Sequence, residues 1–194
     1  MVNSPTWVSV SMQLGYPAPG TVDSGKVAGD GTTVTGPSVP IGTIAQFRDV
    51  GPTRLGVGTF IFLPGVTSTV AGDVVTYRTS AGVDVPGDLN DGGATERWAG
   101  TANTGFPLAV ATAAVDNQSK WGWYQIQGGA IVNVSGTVSA SQAAYWGQTA
   151  TLETNAAVGG KQVLGIRSTS ASGVPDTGKA IFSLQNPVVQ SQIT

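Results

Sequence analysis

The chain has 194 residues, 28 of them Gly and 11 Pro, with neither Cys nor His. Only 10% are charged, against roughly 25% in ordinary globular domains, and nine basic residues against eleven acidic ones give a net charge of −2. Disulfides, thiolate metal sites and histidine chemistry are excluded, and the singly placed basic residues form no stripe that would neutralise a phosphate backbone, so nucleic acid is not an expected partner.

The first strong signal is Trp7 to Tyr16. Val8, Val10, Met12, Leu14 and Tyr16 alternate with Ser9, Ser11, Gln13 and Gly15, the period-two pattern of a strand with one apolar face. From Pro17 to Pro40 the sequence is rich in Gly, Thr, Pro and Val without periodicity. It reads as a non-helical connector, making residues 1–40 an extended N-terminal arm and 41–194 a β-rich body. Short apolar or β-branched runs follow at 42–47, 59–63, 73–79 and 108–115, each between clusters of Gly, Pro, Asp or Asn. Residues 80–106 are too long and glycine-rich for a tight hairpin and read as an exposed loop. Further strands are expected at 121–126, 130–134, 149–152, 163–168 and 179–184, with Gly128 and Gly129 as a turn or bulge. The best helix candidate is Ser141 to Trp146, at most a turn or two before Gly147. With 40% hydrophobic residues to fill a core, the expected fold is all-β, a compact β-sandwich or small β-barrel carrying the arm.

Candidate chemistry is sparse. Glu96 and Glu153 lie in different segments, and a carboxylate pair drawn from Asp84, Asp88, Asp91, Glu96 and Glu153 would have to meet in a cleft to hydrolyse a glycoside. Gly20 to Lys26 and Gly173 to Lys179 have phosphate-loop spacing, but Val27 and Ala180 stand where the motif needs Ser or Thr. Asp88, Asn90, Asp91 and Glu96 do not fit the twelve-residue calcium loop. No enzyme activity, metal or other cofactor is expected. In the run Trp121-Gly-Trp-Tyr-Gln-Ile126, Trp121 and Trp123 share one strand face while Tyr124 and Ile126 share the other. A strand apolar on both sides is buried in a core or at a subunit interface, which outweighs sugar stacking on exposed rings. No apolar run approaches the ~20 residues of a membrane span. The first six residues lack the basic and apolar stretches of a signal peptide, so cytoplasmic synthesis and no membrane partner are expected.

Four segments together resemble the decoration, or cement, proteins of tailed-phage heads. They are Gly56 to Val66 (Gly-Val-Gly-Thr-Phe-Ile-Phe-Leu-Pro-Gly-Val), Ala71 to Tyr77, Gly122 to Ala130 with its Gly-Trp-Tyr-Gln-Ile run, and Lys179 to Val188. The resemblance spans about 41–188 and leaves the arm outside. It implies a virion structural protein on the outer capsid surface, a homotrimer bound to the major capsid protein, that holds neighbouring capsomers together. Within that picture Trp7, Val8, Val10, Met12, Leu14 and Tyr16 are expected to reach a neighbouring subunit or the capsid, and Trp121, Trp123, Tyr124 and Ile126 to fill the core or a subunit interface. The alternative expectation is a host-attachment or carbohydrate-binding β module, recognisable by exposed tryptophans in one concave patch.

Overall fold

The computed structural model describes residues 4–10, 16–29, 31, 34–77, 96–97, 105–154 and 159–190. Every regular element among them is a strand. In chain order these are β1 (Trp7–Ser9), β2 (Lys26–Val27), β3 (Val34–Gly36), β4 (Ile44–Asp49), β5 (Val57–Pro64), β6 (Val74–Thr76) and β7 (Glu96–Arg97). They continue with β8 (Leu108–Ala111), β9 (Trp121–Asn133), β10 (Ala143–Trp146), β11 (Leu152–Glu153), β12 (Gln162–Ser168) and β13 (Lys179–Val189). Strands β2 and β3 form a small ladder of their own, and the other eleven share one antiparallel sheet whose main path is β1-β4-β5-β9-β13-β12-β10-β11, with β8, β6 and β7 branching from β9.

The long strand β9 organises this branching. One edge of its first half pairs with β5, while β8 pairs beside Tyr124 and Gln125 and β13 takes the second half from Gln127 to Asn133. Between the halves the register against β5 slips: Phe60 faces Gln125 but Thr59 faces Gln127, so Ile126 is an extra residue. Such a bulge reverses which alternate residues point to a given side. Before it, Trp121 and Trp123 share a face with Phe60 and Phe62. Beyond it, the even-numbered Ala130 and Val132 are the buried ones. The expected strands 121–126 and 130–134 are thus one strand, with the Gly128-Gly129 pair just past the bulge. Gly128 has φ +93°, and a Cβ there would sit 2.5 Å from the Val57 carbonyl oxygen, so a side chain is barred twice over.

Three apolar clusters fill the fold. Trp7, Val39, Ala45, Phe47, Phe60, Phe62, Trp121 and Trp123 lie on one side of the β4-β5-β9 sheet. Ile61, Leu63, Val75, Ala109, Tyr124 and Ile126 belong to the cluster on the other. The third draws Val74, Leu108 and Val110 from β6 and β8 together with Val132, Trp146, Leu152, Val163 and Phe182, so the sheet folds over and packs against itself. The fold is sandwich-like and does not close into a barrel. Where the two ends approach, they are joined by the Val74 N–H to Ala150 carbonyl bond, at 2.9 Å, rather than by a ladder.

Two expectations are corrected. The segment expected to be helical, Ser141 to Trp146, contains strand β10, paired with β12 and β11. Its buried residues Ala144 and Trp146 are two apart, which is strand periodicity. In the arm, the pairing among the described residues covers Trp7–Ser9, against Phe47–Asp49 of β4, which is the arm's own body, while 11–15 lie outside the described residues. The arm strand is therefore an edge of the body's own sheet. The described part of 17–40 packs on the body too, since Val39 is fully buried and Asp23 bridges to Trp121. The loop expected at 80–106, including Asp84, Asp88, Asp91 and Trp98, falls outside the described residues apart from β7 and its last two positions.

Candidate functional site

Strand β4 alternates strictly: Ala45, Phe47 and Asp49 are buried, and Ile44, Gln46 and Arg48 are exposed. Direct cross-strand partners share a face, so the pairings Val8 with Arg48, Arg48 with Val57 and Gln46 with Thr59 define one outer surface across β1, β4 and β5, which beyond Ile44 runs on to its partner Ile61, buried in the second cluster. Val10 joins it through its N–H bond to the Gln46 carbonyl. Four of its apolar side chains are open to solvent: Val8 at 45%, Val10 at 49%, Ile44 at 58% and Val57 at 41% exposure. A partly apolar, solvent-exposed sheet face is the kind of surface that assembly covers.

The arm residues divide across this sheet. Trp7 points inward, is buried, and meets Phe60 edge-on at 4.8 Å between ring centres. It anchors the strand to its own body and is not available to clamp a neighbour, whereas Val8 and Val10 face outward. Tyr16 is half-buried, tilted against Trp123 at 6.2 Å. Met12 and Leu14 lie outside the described residues.

Trp121, Trp123, Tyr124 and Ile126 are all buried within the chain, Trp123 and Tyr124 completely. Trp123 packs edge-on against Phe47 and Phe62, at 5.2 and 5.1 Å, and donates from Nε1 to the Pro17 carbonyl at 2.6 Å. That bond ties the connector to the sheet. With Trp7 and Trp146 also buried, the described tryptophans form no exposed stacking platform.

Buried acids serve the fold. Asp49 accepts four hydrogen bonds, from the Thr6, Gly51 and Leu55 backbone N–H groups and the Thr53 hydroxyl, holding the start of β1 to the turn after β4. Burial alone would raise its pKa, but these donors outweigh burial and hold the carboxyl below its ordinary value. Asp23 accepts from Gly25 and from both the backbone and hydroxyl of Ser38. Asp73 accepts from Val70, Arg97 and Asn133. Burial first, and the nearby Asp73 charge second, push the Tyr124 phenol well above its usual range, so it stays a neutral donor, aimed at the Pro64 carbonyl. Among the described residues no three Asp or Glu side chains gather in a way that could hold a metal ion. Glu153 lies on β11 and Glu96 on β7, which pair with different neighbours.

Sequence reasoning missed Ile44 and Val57 as surface residues. The signal was present in the pattern Ile44-Ala-Gln-Phe-Arg-Asp49, but Ala45 and Phe47 alternate with Ile44 as a third apolar residue, leaving the inner face ambiguous. No protein-family model, curated protein or solved structure matches this chain.

Proposed function

We propose that the chain is a non-enzymatic structural protein of a virus particle, a homotrimer that decorates the outer surface of an assembled phage capsid and stabilises it by bridging neighbouring capsomers through the major capsid protein. The observation that carries this reading is the exposed apolar face of β1, β4 and β5, set on a folded-over sheet whose interior is filled. A sheet held on both sides by large side chains is stiff, and stiffness suits a clasp. Low charge and an outer face of Val and Ile suit permanent burial against a partner, where apolar area contributes on the order of 25 cal/mol per Å² before ordering costs. The four segments that resemble head-decoration proteins include β5 and β9, the strands at the centre of the same sheet.

The test is a cryo-electron microscopy map of the native particle, with mass spectrometry of purified virions. The expected outcome is density for this sheet on the outer shell, at a three-fold or quasi-three-fold position. Absence of the chain from purified particles would overturn the proposal.

A further inference from the structure

A cavity of about 520 Å³ opens where segments 4–7, 18–22, 110–114 and 175–179 converge on β9. Its volume falls within the roughly 300–1,000 Å³ range of small-molecule sites. Trp7, Leu55 and Val110 contribute apolar wall, and Gln125 reaches it from β9. Gln125 is only 2% exposed. Both hydrogens of its amide are used inside the chain: Nε2 donates to the carbonyls of Gln127 and Gly129, at 3.0 and 2.8 Å. These two acceptors fix the amide orientation. The carbonyl oxygen Oε1 then has no donor among the described residues, and it is not sealed off from the cavity. With both amide hydrogens spent inside the chain, this oxygen is an acceptor held in a fixed direction at the cavity wall, where a hydroxyl that enters can donate to it.

We propose that this cavity binds a neutral saccharide, one of whose hydroxyl groups donates to Gln125 Oε1. Three features select that chemistry. The described lining carries one acid, Asp176, and one base, Lys179, so no net field favours an anion or a cation. Apolar walls alternate with hydroxyl, amide and charged groups, matching a ring that carries C–H faces and equatorial hydroxyls. A peptide lacks a backbone to pair with. Strand β8 is hydrogen-bonded on both edges, by β6 and β9; the Thr6 N–H and carbonyl are taken by Asp49 and Val50; and the Gly20 and Thr21 N–H groups are taken by Thr112 and Ala18. Strand addition is therefore closed to it. This is a pocket mode of sugar binding, distinct from stacking on exposed tryptophans, and it is independent of the capsid-facing sheet surface.

The test is a titration of isotope-labelled full chain with maltotriose, cellotriose and N-acetylated chitotriose, each to about 10 mM, the weak range natural for single sugar sites. At least one sugar should produce saturable shifts at the Gln125 side-chain amide and at the Thr112 and Lys179 backbone amides. Ala71→Trp and Val22→Trp, both at exposed positions in the lining, should each weaken binding by about tenfold or more with an unchanged melting temperature. The two variants check each other should either fail to fold. The proposal is overturned if none of the three sugars shifts these resonances, if binding survives both folded variants, or if triglycine shifts them and the sugars do not.

Discussion

Replacing Trp123 by Ala removes the side chain on which Phe47, Phe62 and Tyr16 converge and frees the Pro17 carbonyl that its indole N–H holds. Truncating a fully buried aromatic costs about 3–5 kcal/mol, so the variant should show a marked loss in urea unfolding midpoint; a stable Trp123→Ala protein would contradict the packing. Asp49 offers a test with a pH signature. Removing its carboxylate in Asp49→Ala leaves four donors without their acceptor, three of them in the turn after β4, and should cost about 3 kcal/mol near neutral pH. Its folded-state pKa lies below the ordinary value of 3.8, so the folded state binds that proton more weakly than the unfolded chain. The contribution is therefore complete above 3.8 and is lost as pH falls through the lower, folded value. Thermal melts of the two proteins should differ most near neutrality and converge toward about pH 2, and a constant gap would show that the charge is not what the four donors recognise.

At the scale of elements, the arm strand makes the sharpest prediction. Deleting residues 1–16 removes Trp7 from the core and uncovers the edge of β4 from Gln46 to Asp49, so the truncated chain should melt well below the full chain and aggregate at concentrations where the latter is soluble. A truncated chain that melts like the full one would return the arm to its expected role as an outward clamp. The same strand shows how far pattern carried the reading. Alternation over Val8 to Tyr16 placed a strand where Trp7–Ser9 is one among the described residues, but alternation fixes only which residues share a face, not which edge they meet. Sequence could not reveal that Trp7, one position before the apolar series, is the inward residue. The burial of both faces at Trp121 to Ile126 was legible because apolar bulk occupied odd and even positions alike. Ser141 to Trp146 misled because Ala and Gln favour helix locally, while Ala144 and Trp146 are held by non-local pairing with β12 and β11. The cavity was illegible for the same reason: nothing near Gln125 in sequence marks its amide as spoken for by Gln127 and Gly129 on one side and open on the other.

For the whole molecule, the capsid-binding proposal and the fold can be separated by a charge-neutral change to the outer face. Ile44→Lys with Val57→Glu replaces two exposed apolar groups on the surface of β4 and β5, and the new Glu stands directly opposite Arg48. The added charges are of opposite sign, so the net charge of −2 is kept. Both side chains are exposed and belong to none of the three clusters, and exposed substitutions of this kind change stability by about 0.5 kcal/mol or less. Melting and circular dichroism should therefore match the parent. Binding to purified shells that lack the protein should fall by more than about tenfold, because each lost apolar contact is replaced by a charge that must be desolvated on docking. If the doubly substituted chain binds shells as the parent does while remaining folded, the sheet face is not the docking surface. Among the described residues β7 pairs with β6 alone, and its far edge would then be the place to look, since an unpaired edge offers backbone groups that a partner strand can satisfy without any apolar patch.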